Sequence, residues 1–167
     1  ELYKKIVFWE SELEKSTDSG MDEILRMQEN EANNSFSKFM INNYLNWLKP
    51  ENPNKPLLSP ALFSDKILPL VKEHKPLFFI LIDNMRYDQW KTISAELSGL
   101  YRIIEEDIYF SILPTATQFS RNSIFAGLMP AQIADSMPDF WVNDDEEEGK
   151  NNFEEDLFKS QLIRKGL

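Results

Sequence analysis

Leu2, Ile6, Trp9 and Leu13 recur at three- and four-residue steps, the spacing that puts side chains on one face of an α-helix. Ser16-Thr17-Asp18-Ser19-Gly20 breaks that pattern, and Asp18 or Ser19 is suited to cap a following helix. Ile24, Met27 and Gln28 open a second, weaker amphipathic stretch. Phe36, Met40, Tyr44 and Trp47 or Leu48 then form a strong stripe. Two or three helices packed on each other or on a neighbour are the economical reading of residues 1–49, and no basic recognition helix occurs among them. Residues 49–56 hold three prolines in eight positions. Proline stops a helix and weakens strand pairing, so this segment reads as a stiff linker and the best domain boundary.

The pattern changes beyond the prolines. Ser59-Pro60 sets a cap residue before a proline at the first helical position, which predicts a helix to about Glu73, kinked at Pro69. Leu77-Phe78-Phe79-Ile80-Leu81-Ile82 is apolar at every position, as in a parallel strand covered on both faces. A helix is predicted from Asn84 to Leu97, strand structure at Ile103-Ile104 and from Ile108 to Leu113, and a further helix from about Gln118 to Leu128. Strand–helix–strand–helix alternation indicates an α/β fold with a mostly parallel sheet. The chain thus divides into a helical segment (1–49), a linker (50–58) and an α/β domain (59–167).

Composition narrows the chemistry. The 167 residues include 28 acids, 18 Lys and Arg, one His and no Cys, a net charge of −10. Without cysteine there is no disulfide framework, thiolate metal site or cysteine nucleophile, and one histidine excludes a self-contained multi-histidine site. The acidic balance argues against a surface built to grip duplex DNA. Yet 8 of the 28 acids lie between Asp144 and Asp156 with Lys150 as the only base, and without that whole stretch, Lys150 included, the net charge is −3. Residues 144–152 read as a solvated loop. The longest apolar run, between Pro76 and Asp83, is far shorter than the ~20 residues of a membrane span. No signal peptide opens the chain, and a cytoplasmic protein is expected. Glu1 stands where a Met would begin a protein and Leu167 follows a helical pattern, so both ends look cut from something longer.

In an open α/β sheet, ligands gather at the carboxyl ends of the strands. Asp83 closes the apolar run, and Thr117 stands at the start of the helix after the second strand region. A carboxylate is a hard ligand for a divalent cation. A threonine at a helix N-terminus lies among unpaired amides that attract phosphate. Both residues also fit plain helix caps, and Arg86 and Asp88 fit plain surface charges, so type and position leave the two readings open.

The wording of the motifs goes further. Leu81-Ile82-Asp83-Asn84-Met85-Arg86-Tyr87-Asp88 resembles the first metal-binding motif of the alkaline phosphatase superfamily in its PglZ-domain form. Pro114-Thr115-Ala116-Thr117, running on to Gly127-Leu128-Met129-Pro130, looks like its nucleophile segment. The helical segment ahead of it resembles the PorX-type response regulators of the Bacteroidetes type IX secretion system.

The resemblance implies the first part of an alkaline-phosphatase-like parallel-sheet domain, with two zinc ions in the complete site. Asp83 would bind zinc, and Thr117 would be both nucleophile and metal ligand. Nucleotides or oligonucleotides would be substrates of a zinc-dependent phosphodiesterase. A sensor histidine kinase, a sigma factor or secretion-system protein, and a second copy in a homodimer would be partners. Trp9 and Trp47 would offer partner contacts, or simply serve local core. The family's receiver would precede Glu1, and its other zinc ligands would follow Leu167. An alternative of a different class is a non-catalytic regulatory module that docks a sigma factor or secretion component.

Two other assignments are weak. A haloacid-dehalogenase-type phosphatase needs a second aspartate two residues after the first, and that position is Met85. His74 lies nine residues before Asp83, about 30 Å along an extended strand, and is expected to end a helix rather than share its metal. One carboxylate and one hydroxyl make a poor zinc site. Calorimetric titration of this chain with zinc is expected to give weak binding, with no phosphodiesterase activity, and tight stoichiometric binding would contradict the reading.

Overall fold

The computed structural model describes residues 5–9, 19–71, 76–143, 145 and 149–167. They form two compact units: 1–55 with 81–106, and 56–80 with 107–167. His74, Asp144 and Glu146–Glu148 lie outside the described residues, as do Leu2, Leu13 and the predicted break at 16–18.

In the first unit, residues 5–9 are helical and α1 (Ser19–Trp47) runs unbroken for 29 residues. Ser19, one of the two residues expected to cap the helix after the break, is the first residue of this one. Trp47 is buried against Phe39 (ring centroids 5.5 Å) and Tyr44 (6.5 Å), so it serves local core, whereas Trp9 is exposed.

Around Leu68–Val71 (α2), the predicted 59–73 helix is irregular. It starts as a 3-10 turn at Ser59–Ala61 and widens to a π-turn at Phe63–Ile67, and residues 72–75 lie outside the described ones. Pro60 does occupy the first turn, but the cap position is Leu58. The buried Ser59 hydroxyl is used elsewhere: it accepts the Ile112 N–H at 3.2 Å, across 53 residues. A buried amide needs such a partner, and this one fixes where the 107–113 segment enters the second unit.

The helix expected from Asn84 begins later, as α3 (Tyr87–Leu97), because Asn84 is left-handed at φ 55°. Its entry is closed by Gln89 Oε1, which accepts the Arg86 N–H at 3.0 Å. Glu106 ties the segment beyond α3 back to that helix, accepting from the Tyr87 hydroxyl (2.8 Å), Trp90 Nε1 (3.3 Å) and Lys91 Nζ (2.8 Å). The Glu106 carboxylate, and then Tyr87, hold the Lys91 ammonium above its ordinary pKa.

Among the described residues no strand ladder forms, so the parallel sheet is not present in them. Leu58 and Phe110 make a single parallel bridge, with Phe110 N–H donating to Leu57 O at 2.9 Å. Leu77–Ile82 forms no strand and is not covered on both sides: Phe79 is half-buried while Phe78 and Ile80 are 89% and 76% exposed. A strand buried on both faces needs a layer on each side and neighbours along both edges. Phe79 joins Phe63, Phe125 and Phe158 in a cluster with centroid separations of 5.1–6.3 Å.

The second unit is completed by α4 (Thr117–Ala126), α5 (Pro130–Ser136) and α6 (Glu154–Arg164). Ala126, Ile133 and Leu157 form its fully buried centre, with Phe140 and Trp141 packed beside them. The predicted 118–128 helix is therefore shifted by one residue at its start and stops at Ala126, where Gly127 turns left-handed (φ 63°). Among the described residues no helix is long and apolar enough to cross a membrane. Ser59→Ala, which leaves the Ile112 amide buried without its acceptor, is expected to lower unfolding stability by about 1–2 kcal/mol in urea titration.

Candidate functional site

Thr117 is the first residue of α4, and the preceding Ala116 caps it without a side-chain bond. Thr117 is therefore not the cap that its position suggested. Its backbone N–H is one of the amides that have no acceptor within an α-helix, so hydroxyl and amide share the positive end of the helix dipole. The hydroxyl-bearing side chain is half-exposed, whereas Gln118, Ser120, Asn122 and Ser123 behind it are buried.

A helix this polar on its buried side is held by hydrogen bonds. Ser120 Oγ donates to Thr115 O at 2.9 Å, tightening the turn just before Thr117. Asn122 Nδ2 donates to Lys150 O at 2.9 Å. Arg121 grips Glu154 through two contacts, Nη2–Oε2 at 2.8 Å and Nε–Oε1 at 2.5 Å, with both side chains mostly buried. Part of the acidic stretch is thus structural: Glu154, Glu155 and Asp156 occupy the first turn of α6, where the dipole favours carboxylates.

The rear of α4 is clamped. Gly127 N–H satisfies Ser123 O at 2.9 Å, leaving the carbonyls of Ile124, Phe125 and Ala126. Gln161 Nε2 donates to the first two at 2.9 and 2.6 Å, and Arg164 Nη2 donates to the third. Gln161 can approach only because residue 127 has no side chain: a Cβ there would lie 2.6 Å from Gln161 Oε1. The motif's other end is equally local, since Pro130 opens α5 and Gln132 Oε1 accepts the Met129 N–H at 2.9 Å.

Asp83 belongs to the first unit and Thr117 to the second. Asp83 is exposed, in a turn with Asn84, four residues ahead of α3, so it does not cap that helix. Arg86 and Asp88 pair with each other at 2.7 Å on the surface, and the Arg86 hydrogen bond holds the Asp88 carboxyl below its ordinary pKa. Among the described residues no three His, Asp or Glu side chains gather as a metal-binding group. The Asp83 carboxylate is by itself an oxygen donor of a kind that zinc accepts.

Gln161 and Arg164 are the residues that sequence reasoning missed. A signal existed for the first, because Gln161 stands four residues after Leu157, on the buried stripe of α6. A polar group on such a stripe implies a buried hydrogen bond.

The family model of the BREX system PglZ alkaline phosphatase-like domain matches residues 62–167. That of the PorX response regulator linker domain matches residues 1–48. No curated protein matches the chain.

Gly127→Ala is expected to destabilise the fold by about 2–4 kcal/mol, from left-handed strain and displacement of Gln161. In a Gln161→Ala background the same change should cost measurably less, since the clash is gone; equal costs in a double-mutant cycle would contradict the clamp.

Proposed function

The chain belongs to the PglZ alkaline phosphatase-like domain family and carries a PorX-type response-regulator linker ahead of it, and from that premise we propose a phosphodiesterase domain under response-regulator control. The reaction we assign is cleavage of nucleotide or oligonucleotide phosphodiesters. The observation that carries the reading is Thr117, a half-exposed hydroxyl at the first position of a helix whose remaining length is anchored by buried polar bonds.

In this reading Thr117 Oγ1 attacks phosphorus. The new Oγ1–P bond forms as the bond from phosphorus to the leaving alcohol breaks, and the hydroxyl proton leaves to balance the departing alkoxide. Water then cleaves the phosphothreonyl ester and regenerates Thr117. The α4 N-terminal amides attract the phosphoryl oxygens. Asp83 and Thr117 are the residues of this chain that would hold zinc, which supplies a charge that lowers the pKa of a bound hydroxyl. The bonds between α4 and α6 hold the backbone that carries Thr117, which favours a defined position for the nucleophile.

Regulation follows from the linker. Residues 1–48 would convey phosphorylation by a sensor histidine kinase to the catalytic domain, in a cytoplasmic regulator of type IX secretion with a sigma factor or secretion-system protein as downstream partner. The segments at 77–82 and 108–113 would take sheet geometry once paired along their edges.

Thr117→Val in the full-length protein keeps shape and removes the nucleophile. Cleavage of a dinucleotide or nitrophenyl phosphodiester is expected to fall by a thousandfold or more, roughly the scale of nucleophile deletions, with the melting temperature nearly unchanged. Unchanged cleavage would leave only the non-catalytic docking role.

A further inference from the structure

Helix α4 opens without the device that usually fixes a helix front. Its cap position is Ala116, whose side chain has no acceptor to offer the first amides. Thr115 and Ala116 are both exposed, so water competes for their carbonyls. The hold comes instead from Ser120, three residues after Thr117. Its hydroxyl turns back to Thr115 O at 2.9 Å and to Ala116 O at 3.2 Å. A serine has one hydroxyl proton, so this bond is shared between the two carbonyls, with the shorter contact to Thr115. Ala116 O also accepts the N–H groups of Phe119 and Ser120, each at 3.0 Å.

Those two carbonyls belong to the peptide units that lead into Thr117. A peptide unit is planar, so fixing Ala116 O also fixes the Thr117 N–H on the opposite side of the same plane. The unit after Thr117 belongs to the first turn of α4. With the planes on both sides set, the direction of the Thr117 Cβ is set as well, and β-branching restricts the one torsion left to the hydroxyl. Ser120 itself is buried and its proton is committed to the backbone, so it does not meet a substrate. Alanine would suit the helix better by intrinsic preference and would leave no buried hydroxyl to satisfy. We propose that Ser120 is a positioning residue for Thr117, its shared bond to Thr115 O and Ala116 O setting the direction from which Thr117 Oγ1 meets phosphorus. The role rests on the hydrolytic reading of Thr117 and adds a second residue to it.

Steady-state cleavage of a nitrophenyl phosphodiester by the full-length protein tests this, with Ser120→Ala, Ser120→Thr and Thr117→Val compared. Ser120→Ala is expected to lower kcat by about tenfold to a hundredfold, the scale of a small misplacement of reacting atoms, with KM and melting temperature nearly unchanged. Ser120→Thr keeps a hydroxyl able to bond the carbonyl one turn back and is expected to recover most of the lost kcat. Wild-type kcat in Ser120→Ala, with Thr117→Val inactive, would overturn the positioning role and leave Thr117 as nucleophile. A Ser120→Thr protein as slow as Ser120→Ala would overturn it too, because the hydroxyl would not be the cause. So would a loss of kcat that follows a fall in melting temperature, which marks a structural residue only. Cleavage that survives Thr117→Val would remove the nucleophile assignment, and the role of Ser120 with it.

Discussion

Three carbonyls at the end of α4, those of Ile124, Phe125 and Ala126, are left over by helix geometry, and two side chains of α6 answer them. Much of the second unit's arrangement depends on that meeting. A helix end in a protein interior is costly unless its last carbonyls find donors. Gln161 reaches two of them from a fully buried position, and Arg164 reaches the third. The approach requires Gly127, both for its left-handed turn and for the absence of a Cβ. The aromatic rings of Phe125 and Phe158 meet beside the clamp at 6.0 Å, so apolar packing and hydrogen bonding specify the same docking of α6.

The front of α4 inherits this fixity. Arg121 and Asn122 bind the α6 entry and the turn before it, so the helix is held to one neighbour along most of its length. Breaking a largely buried pair such as Arg121–Glu154 leaves one charge without its partner, and polar networks of this kind favour a single register over many. Thr117 is the first residue beyond that anchored stretch. A half-exposed hydroxyl at the dipole's positive end, on a helix anchored by these bonds, suits the phosphoryl chemistry proposed for it.

Local signals in the sequence were legible where a single side chain or backbone preference decides the outcome. Pro60 marks the start of a helical stretch and does occupy its first turn, and the helix expected from about Gln118 begins one residue earlier, at Thr117. The two motif segments likewise led to the PglZ family, since the wording of Asp83 to Asp88 and Pro114 to Pro130 is specific. What failed to follow was anything that depends on distant partners. Leu77–Ile82 reads as a strand buried on both faces, yet a sheet is a property of several strands, and among the described residues it forms no strand and leaves Phe78 and Ile80 exposed. Ser59 reads as a cap because capping is local, whereas its actual bond spans 53 residues. On α1 the sequence left Trp47 open between partner contact and local core; the structure buries it against Phe39 and Tyr44, while Phe36 of the same stripe stays exposed.

The central claim is that Thr117 is the group that bonds to phosphorus. The most direct measurement is acid quenching of the full-length protein during turnover of a radiolabelled nucleotide phosphodiester, followed by peptide mass spectrometry. The account predicts label on the peptide containing Thr117, stable to acid as a phosphothreonyl ester is. Label on a carboxylate such as Asp83, or rapid turnover with no labelled protein at any time, would contradict it.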